Sequence, residues 1–151
     1  MELLVRQAAR RVWFGALPRP YRFEAPVEGE FALLLVAVDV DVTPDEQAEL
    51  SEQFVRAGCR YAVCFGPDSS SWDDSIDMVG VLDEIDGREA PFVMTTWHDD
   101  EPLVETVEYL DTCTRYDDWV ASELVVVVLG DDAQQLFVTR ELLLAHFRPC
   151  E

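Results

Sequence analysis

Lysine is absent from this 151-residue chain, and all 11 of its basic side chains are arginine. That excludes a phosphate-loop lysine and a Schiff-base lysine from its chemistry. Basic charge of any kind is scarce. Thirty-one acidic residues leave a net charge of −20 and a pI near 4.1. Such a surface repels nucleic acid and anionic lipid, and it attracts a basic protein, a polyamine or a divalent cation. No apolar run approaches the ~20 residues that span a bilayer. The longest, FALLLVAV and LVVVVL, have the length of strands. The N-terminus lacks the apolar core and small-residue cleavage site of a secretory signal. The four cysteines (Cys59, Cys64, Cys113 and Cys150) form no C-x-x-C pair. The expectation is reduced thiols in a cytoplasmic protein, not a disulfide framework or a zinc site of standard spacing.

Apolar residues are plentiful, at 49%. A chain of this length buries roughly 70% of its unfolded surface, so one globular domain is expected. Charge is unevenly divided. Arg6, Arg10, Arg11, Arg19 and Arg22 face only Glu2 within the first 22 residues, which makes that segment +4 and the remainder −24. The division expected is therefore a basic N-terminal helix and linker over 1–22 and an acidic α/β domain over 23–151. Leu4, Val5, Ala8, Ala9 and Val12 fall on one helical stripe, broken by Gly15, Pro18 and Pro20. Such a helix would dock on the acidic body or contribute to a homodimer.

From residue 31 onward the pattern alternates. FALLLVAVDV (31–40) reads as a strand buried on both faces. Thr43-Pro44-Asp45-Glu46 is a capping box with proline at the first helical position. The helix it opens runs to Ala57, with Ala48, Leu50, Phe54 and Val55 inward, and Gly58 stops it. CRYAVCFG (59–66) is a second strand. A helix capped by Ser71 and Asp74 follows, with Trp72, Ile76, Val79, Leu82 and Ile85 as core positions. APFVMTTW (90–97) is a third strand. Asp100 or Glu101 would cap a helix through Leu103, Val107 and Leu110. TRYDDWVAS is a connector, and ELVVVVLG (123–130) a fourth strand. QLFVT is expected as an antiparallel edge strand before a closing helix, RELLLAHF. This alternation means a three-layer α/β fold, with a mostly parallel sheet of four to five strands and helices on both faces.

In such sheets ligands bind beyond the carboxyl ends of the strands. The first strand delivers Asp39 and Asp41 there, the third delivers His98, Asp99 and Asp100, and the fourth delivers Asp131 and Asp132. Carboxylates at this density suit Mg²⁺, which makes Asp39, Asp41, Asp131 and Asp132 the candidate metal ligands. Asp39, Asp41 and His98 are the candidate catalytic groups. Asp39 and Asp41 equally suit a strand end running into a capped helix.

VAVDVDVT (36–43) resembles the first motif of the haloacid-dehalogenase-like phosphatases, a strand ending in D-x-D-x-T. Thr95-Thr96 is similar to their second motif, and VVVVLGDD (125–132) to their acidic fourth. The resemblance implies that Asp39 attacks phosphorus, that Asp41 protonates the leaving group, and that Asp131 and Asp132 hold Mg²⁺. The chain departs from that pattern in three places. No lysine can fill the basic position, for which Arg115 is the available arginine. A helix follows Thr43 at once, where the family has a looped insertion. Gln134 and Gln135 stand where a trailing aspartate belongs. Receiver domains of response regulators are similar in layout, but they too need a late lysine.

The aromatics suggest a different use for the acidity. Trp72, Trp97, Tyr116 and Trp119 lie among Asp73, Asp74, Asp99, Asp100, Asp117 and Asp118. Aromatic side chains inside an acidic rim have the composition of a binding hot spot. The leading expectation is an acidic α/β protein that neutralises a basic protein partner, in an immunity- or antitoxin-like role. It needs no cofactor and touches neither nucleic acid nor membrane. A Mg²⁺-dependent phosphohydrolase, or a catalytically dead relic of one, is the alternative.

Overall fold

The computed structural model describes residues 1–38 and 41–148. In chain order the strands are β1 (Glu2–Arg6), β2 (Arg11–Leu17), β3 (Phe31–Val36), β4 (Cys59–Phe65), β5 (Met94–His98), β6 (Arg115–Tyr116), β7 (Trp119–Val120) and β8 (Glu123–Leu129). The helices are α1 (Pro44–Ala57), α2 (Ser69–Ile85), α3 (Leu103–Cys113) and α4 (Ala133–His146). Six strands form one sheet in the order β1-β2-β8-β3-β4-β5. From β2 to β5 every neighbouring pair runs parallel, and β1 alone is antiparallel to its neighbour. This is the three-layer α/β fold expected, one strand wider.

Strand alternation builds two cores. Phe31, Leu33 and Leu35 of β3 face one side with Val125 and Val127 of β8, and are covered by Leu50 and Phe54 of α1 and Trp72 and Ile76 of α2. Ala32, Leu34 and Val36 face the other side, beneath Val107 and Leu110 of α3 and Leu143 of α4. A central strand with both faces covered must be apolar throughout, which explains the unbroken run at β3. Each large side chain buried there contributes roughly 1.5–3 kcal/mol.

The basic N-terminal segment is a hairpin, not a helix. β2 pairs with β8 along its whole length, from Arg11 opposite Glu123 to Leu17 opposite Leu129. Val12, Phe14 and Leu17 are buried. A helix would have left that edge of β8 without partners for its backbone groups. The Arg11 guanidinium and the Trp13 indole N–H both donate to Glu123, at 2.7 and 2.8 Å. The segment does dock on the acidic body, as two more strands of its sheet.

QLFVT is helical. Asp132 Oδ1 accepts from the Gln135 backbone N–H at 2.8 Å and starts α4 at Ala133. The antiparallel edge of the sheet is β1 instead. The connector TRYDDWVAS is the small hairpin β6–β7, which turns through Asp117 at φ 49°. The third strand is shorter than the run 90–97. α3 begins after Pro102, whose side chain has no acceptor to cap it, so neither Asp100 nor Glu101 is the cap, and Glu101 is instead bonded to His98. α2 begins at Ser69, again without a side-chain cap.

α1 follows its sequence signature closely. Thr43 Oγ1 accepts from Glu46 N–H at 3.2 Å, and Glu46 Oε1 accepts from Thr43 N–H at 3.0 Å. Leu50, Phe54 and Val55 are buried, whereas Ala48 is exposed. In α2, Trp72, Ile76 and Val79 are buried as expected, but the next inward position is Asp83. Leu82 and Ile85 point to solvent, at 54% and 74% exposure. Positions 72, 76, 79 and 83 follow the helical repeat, and 82 and 85 lie off that stripe. No helix among the described residues is long and apolar enough to cross a membrane.

Candidate functional site

The strand order reverses between β3 and β8, so their carboxyl ends open the crevice where α/β folds bind ligands. A cavity of about 550 Å³ lies there, and Asp41, Asp131 and Asp132 line it together with Arg19 and Tyr21. Three of the four expected metal ligands therefore share one cavity. The fourth, Asp39, lies outside the described residues. Among the described residues, no three acidic, histidine or cysteine side chains are close enough to hold a metal ion. Asp132 is occupied in part as the cap of α4.

Arg19 brings positive charge to this acidic crevice. Its Nε donates to Glu46 Oε2 at 2.8 Å, Nη2 donates to Glu46 Oε1 at 3.0 Å, and Nη2 also reaches the Asp41 carbonyl. Its guanidinium sits 5.5 Å from the centre of the Tyr21 ring. The hydrogen bonds from Arg19, followed by that from the Thr43 backbone, hold the Glu46 carboxyl down at about 2.

His98, at the end of β5, is fully engaged. Nδ1 is bonded to Glu101 and Nε2 meets Thr96 Oγ1 at 3.0 Å. Its ring packs 4.7 Å from Tyr109, whose hydroxyl bonds that of Tyr61 at 2.7 Å. Cys64 is buried, and its burial pushes the thiol well above the ordinary value. Cys59 is raised to about 12 for the same reason. Neither thiol is poised as a nucleophile.

The residues expected to bind a partner do not form one patch. Trp72 and Asp73 are buried, which removes both from the surface: α2 turns them inward against the sheet. Asp73 Oδ2 has no hydrogen-bond partner there, and burial raises its carboxyl. Trp97, at 57% exposure, stands beside exposed Asp99 and Asp100 at the carboxyl end of β5. Tyr116 and Trp119 stack 5.2 Å apart on the β6–β7 hairpin, with Asp117 and Asp118 exposed at its turn. The Tyr116 hydroxyl reaches the Phe92 carbonyl, upstream of β5, at 3.4 Å. The two aromatic groups therefore lie toward opposite ends of β5.

Asp74 belongs to a third feature, which sequence reasoning missed. A groove of about 680 Å³ runs between the outer faces of α1 and α2. Ala48, Met78, Val79 and Leu82 supply its apolar surface, and Glu49, Glu52, Asp74 and Asp86 its acidic walls. Arg56 and Arg88 line it too, against five acids once Asp83 is counted, and Arg56 is bound to Asp83 and lies 3.7 Å from Glu52. The signal was present in the sequence, since Met78, Leu82 and Ile85 repeat at i, i+4 and i+7 on a stripe apart from Trp72, Ile76 and Val79.

No curated protein and no solved structure matches the chain. Residues 14–147 match a family described only as a domain of unknown function, DUF7684, and the chain belongs to that family.

Proposed function

We propose that this chain is an acidic protein-binding module that captures and neutralises a basic partner, in the manner of an immunity or antitoxin-like protein. The observation that carries this proposal is how its arginines are spent. Among the described residues, six arginines are ion-paired within the chain, as Arg10–Asp111, Arg11–Glu123, Arg19–Glu46, Arg56–Asp83, Arg60–Glu30 and Arg140–Glu2. Little positive charge is left to offset the surplus acids. A field of one sign steers an oppositely charged protein into contact and repels wrong partners. Its effect is on association rate, so it is sensitive to salt.

The test is to recover basic proteins held by the chain from a lysate of its source cells, purify each one, and titrate it back. A saturable complex is expected, with association at least about 10-fold slower at high salt than at low salt. If no purified basic protein saturates the chain, neutralisation of a basic partner is wrong.

A second reading has one observation in its favour: Asp41, Asp131 and Asp132 share the switch-point cavity. They would belong to a Mg²⁺-dependent phosphohydrolase site or to the remains of one. Thermal melts decide it. Millimolar Mg²⁺ must raise the midpoint beyond a salt and polyamine control of equal ionic strength, and Asp39→Asn/Asp41→Asn must abolish the excess. A rise no greater than the control removes the metal site.

A further inference from the structure

We propose that the groove between α1 and α2 docks an amphipathic helical segment of a basic protein. This inference rests on the basic-partner reading and adds the place and form of the contact. Met78, Leu82 and Ile85 face solvent at 49%, 54% and 74% exposure. On the outer face of a helix in a −20 protein, charged side chains would serve solubility better. Three large apolar side chains on one stripe are instead what a partner covers.

The two walls of the groove differ. Met78 and Leu82 give the middle of the α2 side its apolar surface, with Asp74 and Asp86 toward its two ends, while Ala48, Glu49 and Glu52 make most of the α1 side small and acidic. The stripe from 78 to 85 spans two helical turns, about 10 Å. Met78 and Leu82 line the groove and Ile85 extends the stripe beyond it, a length that the apolar anchors of one docked helix at i, i+4 and i+7 would cover. Ala48 leaves room for close approach. A helix with apolar residues toward α2 and Arg or Lys toward α1 would complement both walls. A second copy of this chain fits poorly, because it would bring the same acidic walls against themselves.

The test uses the full chain at about 150 mM NaCl, where long-range attraction is screened. The probe is a synthetic amphipathic helix of about 16 residues, with leucines at i, i+4 and i+7 and Lys/Arg flanks. A scrambled peptide of the same composition and a twin with Glu flanks are the comparisons. The amphipathic basic peptide should bind at least about 10-fold tighter than the scrambled one. Leu82→Asp should weaken it by a similar factor, and Phe137→Ala, on α4 and 64% exposed, should leave it unchanged. Both positions are exposed, and the melting midpoint of each variant verifies its fold. Leu82→Asp adds negative charge, so pure charge attraction would strengthen in this variant where groove docking weakens.

Equal binding of the scrambled peptide overturns the groove as a docking site and leaves the basic-partner reading standing. Equal binding of the Glu-flanked twin overturns the basic occupant and the basic-partner reading together. A dimer of the chain alone that Leu82→Asp dissociates shows that a second copy covers the stripe, and it too overturns the inference.

Discussion

Arg56 reaches from α1 across to α2 and holds Asp83 by two parallel bonds, Nη1 to Oδ2 at 2.7 Å and Nη2 to Oδ1 at 2.6 Å. The Asp83 side chain is buried, at 4% exposure, while Arg56 is 41% exposed. The partners are therefore unequal. Loss of Asp83 leaves an arginine that water can reach. Loss of Arg56 leaves a buried carboxylate without its counter-charge, which is the costlier state. Arg56→Ala should lower the thermal midpoint more than Asp83→Asn, and far more than Arg140→Ala, which breaks only the exposed pair with Glu2. The hydrogen bonds from Arg56 hold the Asp83 carboxyl below its ordinary value. A depressed carboxylate stabilises the fold above its unfolded value, and that stability is lost as pH falls through the folded one. The gap between wild type and Arg56→Ala should therefore be full at neutral pH and narrow on acidification below about 4, as melts across that range would show.

Asp73 behaves in the opposite sense. Burial lifts its carboxyl above the ordinary value, and the nearby Asp77 and Asp74 add to that lift. A carboxyl raised in the fold binds a proton that the unfolded chain has already released. Stability then falls as pH rises through the window between the unfolded and folded values. Asp73→Asn removes the ionisable group and retains a polar side chain. Its midpoint should exceed wild type at pH 7 and coincide with it below about pH 4, where both states of Asp73 are protonated. A variant less stable than wild type at both pH values would show that the ionised carboxylate has a role of its own.

Strands β3, β4, β5 and β8 and helices α1, α2 and α3 were legible because each is decided locally. β3 and β8 are apolar on both faces, and the capping box of α1 needs only four adjacent residues. What was not legible depends on neighbours distant in sequence. Residues 2–14 satisfy a helical stripe and a strand alternation alike, and β8, more than 100 residues away, selects the strand by offering its open edge. QLFVT is a strand by composition and a helix because Asp132 caps it and β2 already holds that side of the sheet. Trp72 fits two patterns at once, a core position of α2 and a member of an acidic rim, and only the first holds. Its aspartate neighbours suggested a rim, yet the helical repeat with Ile76 turns it inward and takes Asp73 along. The groove was hidden in a list of core positions that mixed two stripes of α2. The clustering of Asp41, Asp131 and Asp132 was readable from topology alone, whereas Arg19 in their midst was not, since it arrives from the loop after β2.

Gly66 fixes how close the turn after β4 can come to the end of β3. Its φ is +130°, and a Cβ there would lie 1.9 Å from the carbonyl oxygen of Ala37. That oxygen belongs to backbone, and the Ala37 N–H is itself bonded to the Phe65 carbonyl at 2.9 Å. No flexible side chain can yield. Gly66→Ala should cost at least ~2 kcal/mol, or roughly 4–8 °C in midpoint for a domain of this size. It should also disturb amide signals at the carboxyl end of β3, beside the acidic crevice. A midpoint within a degree of wild type would mean that the turn can move away from Ala37.

Thr43, Glu46 and Arg19 tie the start of α1 to the loop after β2, and their two contributions can be separated by pH. Thr43→Ala removes the hydroxyl that accepts from Glu46 N–H and should cost ~1 kcal/mol, about 2–4 °C. A hydroxyl does not titrate in acid, so part of that loss persists at low pH. Glu46→Gln acts through charge. Arg19 first, and then the Thr43 backbone, depress the Glu46 carboxyl from 4.5 to about 2. Its contribution is complete above the unfolded value and disappears as pH falls toward the folded one. Glu46→Gln should therefore be less stable than wild type at pH 7 and converge on it as pH falls through about 2, over the same scan in which Thr43→Ala remains weaker than wild type. If Glu46→Gln matches wild type throughout, the exposed Arg19–Glu46 pair is an orientation of the loop that adds no stability, as many surface ion pairs are.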